Sequence, residues 1–194
     1  MLAIISPSKT QDFSQCNLDV FSQTRQIESS NELIGILKNQ SKSQISKLMS
    51  LSEKLSELNF DRFQKFHLPF TLKNAKQAIL AFKGDVYNGI NAPDLTNEDL
   101  EFAQGKVRML SGLYGVIRPL DLIQPYRLEM GTKLSNEKGN DLYDYWGSDI
   151  SNVLNDDESD LIVNLASNEY FKACLLYTSP SPRDRTRSRM PSSA

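Results

Sequence analysis

Residues 110–131, "LSGLYGVIRPLDLIQPYRLEMG", decide how the rest of the chain is read. The stretch sets three glycines, two prolines and two arginines among apolar residues. Three structures suit it: a hairpin that holds a phosphate backbone, the wall of a small-molecule pocket, or an awkward piece of chain packed in the core. Just upstream, Thr96 is placed to cap a helix, with Asp99 three residues on. Leu100, Ala103, Val107 and Leu110 then follow at helical spacing, which predicts a helix running up to Leu110.

Working outward, "MLAII" (1–5) reads as a short buried strand and "SPSKT" after it as a loop. Residues 31–58 read as helix in one or two pieces, with Ile45, Leu48, Met49, Leu55 and Leu58 near helical spacing and Ser and Lys on the other face. "NAKQAILAFKGDVYNG" suits helix or strand, closed either way by Gly84 and Gly89. "DLYDYWGSDISNVL" is expected to form a helix with Leu142, Tyr145, Trp146 and Ile150 inside, and "LIVNLA" (161–166) a buried strand. The expected fold is mixed α/β: one domain, a mixed sheet and surrounding helices.

The 194 residues are 39% hydrophobic and 24% charged, the balance of an ordinary globular domain. No apolar run approaches the roughly 20 residues that cross a bilayer, so no membrane partner is expected. Two cysteines, Cys16 and Cys174, make no disulfide framework and suit a reducing cytoplasm. A single histidine, His67, and no cysteine pair at ligand spacing leave no metal site or cofactor to expect; His67 itself reads as packing or surface. From about Cys174 the text changes to a Ser/Pro/Arg tail that resembles translated sequencing-adapter read-through, so residues 174–194 are expected to be non-native and unstructured. Charge is uneven: residues 61–83 hold five Lys/Arg against one acid, residues 104–138 six against three, and residues 141–160 seven acids with no base. Such runs are either solvated faces or a basic groove beside an acidic wall.

The blocks "ISPSKT", "AILAFKGDVYNG", "RMLSGLYGVIRPLDLIQPYRLEMGTKL", "LYDYWG" and "VNLASNEYFK", in this order over residues 1–173, resemble the YaaA family of bacterial peroxide-stress resistance proteins. The resemblance implies a cytoplasmic mixed α/β protein that binds DNA and limits oxidative damage by keeping free intracellular iron low. It also implies a further C-terminal stretch with a basic K-x-A-R-G segment, so the chain is expected to be truncated. Members carry a helix-hairpin-helix element, for which residues 110–131 are the candidate. "RPLDLI" would start its second helix, with Pro119 in the first turn. Gly112 and Gly115 would let phosphates approach the backbone, and Lys106, Arg108 and Arg118 would touch them without reading sequence. The two glycines stand three apart, where the usual element has them two apart; a helix C-cap followed by a packing turn fits the spacing equally.

A second constellation gives an alternative. "LAII-SPSK" and "LIVNLA-SNE" each run from a strand into a polar loop, and ligands of open α/β sheets gather beyond the carboxyl ends of strands. If the two strands are parallel neighbours, Ser6 and Lys9 meet Ser167, Asn168 and Glu169 there. Tyr126, Arg127 and Glu129 would complete a pocket. Lys9 and Arg127 suit a small anionic, nucleotide-like ligand, with Glu129 or Glu169 as base or ribose acceptor. Ser6 and Lys9 also match Ser-x-x-Lys, an isolated and weak motif. This alternative makes the chain an enzyme or sensor and requires Lys9 and Arg127 to face one cavity.

Overall fold

The computed structural model describes residues 1–157 and 159–175, the last by its backbone only. The first strand made, β1 (Leu2–Ile5), is an inner strand of the main sheet. In chain order there follow α1 (Ile27–Lys38), α2 (Lys42–Met49), α3 (Glu53–Lys65), β2 (Lys76–Gln77), α4 (Ala78–Ala81), α5 (Asp85–Ile90) and α6 (Asn97–Lys106). Then come β3 (Val107–Ser111), β4 (Gly115–Ile117), β5 (Leu122–Ile123), α7 (Leu142–Trp146), α8 (Asp149–Asp156), β6 (Ile162–Asn164) and α9 (Asn168–Leu175). The four-stranded sheet has the order β4-β3-β1-β6, with Ala3 opposite Val107 on one side and Val163 on the other. Both neighbours of β1 are parallel to it, whereas β4 is antiparallel to β3, so the sheet is mixed as expected. β2 and β5 pair separately as an antiparallel two-stranded sheet.

The helical region after residue 26 is cut into three pieces by serines. Ser41 caps α2 in a reciprocal box with Gln44, Ser50 turns left-handed at φ 51°, and Ser52 starts α3. Ile45 is fully buried, but Leu55 and Leu58, expected inside, are 38% and 45% exposed. α3 instead buries Ser56, Asn59 and Phe63. Its two polar residues can be buried because they bond their own helix: Ser56 donates to Glu53 O (2.8 Å) and Asn59 to Leu55 O (2.8 Å). The ambiguous segment resolves as both types, with β2 running into α4 and then α5; Gly84, at φ 118°, ends the first part, while Asn91, not Gly89, ends α5. Leu142, Tyr145, Trp146 and Ile150 are all buried, although Gly147 breaks the single expected helix into α7 and α8.

The decisive stretch differs most from expectation. Thr96 and Asp99 do form the capping box of α6, yet the helix stops at Lys106 and Val107 continues directly as β3. Val107 and Leu110 fit a helical period by coincidence: β3 lies between two other strands, so nearly every residue from Arg108 to Ile117 is buried and no alternation survives. Residues 107–117 are thus a β-hairpin, and the expected helix-hairpin-helix is not formed. Its turn is held from inside, since Ser111 Oγ accepts from Leu113 N (3.2 Å) and Tyr114 N (3.0 Å). A Cβ on Gly112 would stand 2.5 Å from Leu128 O, so only glycine lets the two backbones meet. Gly115 has φ 68° and lies against Gln26 and Trp146.

Around this hairpin the core is aromatic. Phe66, Phe70, Tyr114, Tyr126, Phe82 and Tyr87 form an unbroken line of ring contacts, with centroids 5.0–6.4 Å apart and mostly edge-on. α9 packs on β3 and α8 on β4. Cys174, read as the start of a foreign tail, is buried, and Ser151 donates to its carbonyl (3.1 Å). Residues 176–194, the rest of that expected tail, lie outside the described residues. β6 was expected to be buried, but it is an edge strand beside exposed Leu161 and Leu165. No helix among the described residues is long and apolar enough to cross a membrane.

Candidate functional site

The residues assigned to phosphate contact are turned inward. Gly112 and Gly115 are buried, and the neighbouring amide of Val116 donates to Gln26 Oε1 (2.9 Å). Arg108, 5% exposed, donates through Nε to Asp157 (2.6 Å) and through Nη1 to the carbonyls of Gln104 and Val107. Arg118 is bound to Asp121 by its amide (2.9 Å) and its guanidinium (2.9 Å), and Asp121 is fully buried. Of the five, only Lys106, at the end of α6, is exposed. Several acids of the acidic run are also engaged within the fold. Asp141 caps α7, Asp149 pairs with Lys138 (3.5 Å), and Asp157 bridges Arg25 and Arg108.

The second constellation comes together in part. β1 and β6 are parallel neighbours, and their carboxyl ends are joined where Ser6 Oγ accepts from Ser167 N (2.9 Å). Tyr87 OH donates to Ser6 O (2.8 Å), which fixes the loop after β1 from the aromatic core. Lys9, Tyr126, Arg127 and Glu129 line one narrow cleft together with Gln11 and Tyr170. Lys9 Nζ lies 2.9 Å and Arg127 Nη2 3.1 Å from the two oxygens of Glu129, so two cations share one carboxylate. Burial acts to raise the pKa of Glu129, but hydrogen bonds from Lys9 and Arg127 outweigh it and hold the group below the ordinary carboxylate range. Ser6, Ser167, Asn168 and Glu169 do not line this cleft; Glu169 accepts from Gly131 N (2.8 Å).

Tyr126 is placed by the hairpin: its hydroxyl shares a 2.7 Å hydrogen bond with Ser111, the residue that holds the turn. Burial pushes the phenols of Tyr126, Tyr87 and Tyr170 well above their ordinary range, so all three stay protonated at neutral pH. Thus residues 110–131 are core at one end and pocket wall at the other. The cavity volume is about 10 Å³, room for about one water, and the Lys9 side chain at its edge is 62% exposed.

Sequence reasoning missed Gln11, Tyr170 and Arg62. Tyr170 stands three residues after Ser167, one helical turn, and that spacing was the available signal. Gln11 accepts from Tyr126 N (3.1 Å) across the fold, a pairing no local pattern announces. Arg62 was counted only as part of a basic run; it is half-buried, and both burial and the charge of Arg127 lower its pKa.

Among known proteins, residues 1–181 match the family described as "Peroxide stress protein YaaA". A UPF0246 protein of Acaryochloris marina is 54% identical over 175 residues, which are 89% of this chain and 69% of that relative.

Proposed function

The chain belongs to the YaaA family of peroxide stress proteins, and from that premise we propose that it works by binding a small anionic, nucleotide-like ligand at the carboxyl ends of β1 and β6. One observation carries this reading: Lys9 and Arg127, brought from distant parts of the chain, converge on Glu129 with one positive charge left over. A ligand phosphate takes the place of Glu129 as the partner of exposed Lys9, while Arg127 keeps its fork on the site. Glu129 remains ionised at neutral pH and is then free to accept from a ligand hydroxyl such as that of a ribose. AMP titrated calorimetrically into the full chain should bind, with Lys9→Gln and Arg127→Gln each weakening it by about tenfold. Equal affinity in both variants and the native chain would sink the reading.

Contact with DNA phosphates, the other reading, draws on the family and on exposed Lys65, Lys73 and Lys106. In it, affinity for duplex DNA falls steeply with salt, and Lys106→Ala weakens all sequences alike. Any lowering of free iron is then indirect. The chain has one histidine and two cysteines, and burial pushes the thiol of Cys174 up to about 12.

A further inference from the structure

A second cavity of about 340 Å³ opens beside the last two turns of α3, within the size range of small-molecule sites. Leu58, Arg62 and Lys65 form one wall, and His67, Gln124 and Pro125 form the other. The far wall is rigid. The Gln124 side chain accepts from His67 N (3.2 Å) and donates to His67 O (3.0 Å). The His67 ring lies between Lys65 O (2.8 Å from Nδ1) and the Asn74 side-chain amide (3.0 Å from Nε2). Because the amide donates to Nε2, the ring proton sits on Nδ1 and points at Lys65 O. The His67 ring is thus held on both sides.

The near wall holds cations without carboxylate partners among the described residues. Of the five arginines among the described residues, Arg25, Arg108, Arg118 and Arg127 each bond a carboxylate. Arg62 does not: its side-chain partner is the neutral amide of Asn59 (3.3 Å), although Asp61 lines the same cavity. Lys65 likewise has no carboxylate within 4.0 Å among the described residues. A half-buried guanidinium left unpaired is costly, and an incoming anion relieves that cost. Beside it Leu58 is 45% exposed on a helix whose buried face is partly polar, so an apolar surface adjoins the unpaired charge. Pro125 faces it across the cavity.

We propose that this cavity is a second ligand site, for a phosphate monoester carrying a flat apolar group, with Arg62 and Lys65 on the phosphate and Leu58 and Pro125 against the flat group. The site does not depend on the Lys9–Glu129 cleft, although Arg127 stands near both. The test is calorimetric titration of the full chain with inorganic phosphate and with phenyl phosphate. Phenyl phosphate should bind about tenfold more tightly than phosphate, Arg62→Gln should weaken both by about tenfold, and Arg62→Lys should recover part of the loss. Leu58→Ser, at an exposed position, should remove the advantage of the phenyl group and leave phosphate binding unchanged; it keeps the test informative if Arg62→Gln does not fold. In Lys9→Gln the binding of phenyl phosphate that is sensitive to Arg62→Gln should persist. Equal binding of the two probes, or an unchanged affinity in Arg62→Gln, overturns the proposal. Loss of phenyl phosphate in Lys9→Gln alone moves the ligand to the strand ends and overturns it too. Binding of duplex DNA at Arg62 with no binding of phenyl phosphate makes the cavity part of a nucleic-acid groove, which also rejects it.

Discussion

The glycine that looked ready for a phosphate is needed for a carbonyl. A methyl group at Gly112 would meet Leu128 O at 2.5 Å, and a backbone atom cannot swing aside. Gly112→Ala should therefore cost roughly 1–3 kcal/mol, read from the denaturant midpoint. Arg108 makes the same point through charge. Its side chain and that of Asp157 are 6% and 11% exposed, so Asp157→Asn leaves a buried guanidinium without its counter-charge. About 3 kcal/mol should be lost at neutral pH. Sequence reading found the right residue types here and gave some of them the wrong neighbours. Lys9, Arg127 and Glu129 were legible as a set because each is a charge in an apolar or loop setting. Arg108 and Arg118 looked free because their partners, Asp157 and Asp121, carry no mark of burial in a one-dimensional text.

Among the elements, α6 was legible at its start and not at its end. The Thr96–Asp99 box is a local code, and Thr96→Ala should cost about 1 kcal/mol, seen as a lower thermal midpoint. The end was hidden because a central strand buried on both faces has no alternation to set against helical spacing. The reverse error befell β6, whose apolar text suggested the interior while its position is an edge. Leu161, Ile162 and Leu165 are 54%, 40% and 65% exposed there, at an edge with no further strand among the described residues. Leu165→Lys, at this exposed edge, should change stability by no more than about 0.5 kcal/mol, read from the denaturant midpoint.

For the whole molecule, acid is the informative perturbant. Asp157 and Glu129 both titrate below their ordinary values of 3.8 and 4.5, because bonds from arginine and lysine outweigh burial. A carboxylate with a depressed native pKa contributes stability in full above its unfolded value and loses it as pH falls through the lower native one. Stability should thus be level from neutral pH down to about 5 and drop below about 4, with a shallower drop in Asp157→Asn. The mixed α/β class and the convergence at the strand ends could be read in advance because strands running into polar loops are a repeated, local signal. The order of the sheet could not, because it joins residues more than a hundred positions apart. That order has a kinetic consequence. β1 is translated first, yet its partners are the strands at Val107–Ser111 and Ile162–Asn164. At ribosomal rates of about 5–20 residues per second, it waits on the order of 10–30 s before the second partner exists. High contact order then slows closure further, so the nascent N-terminus is the part of this chain most in need of a holding chaperone.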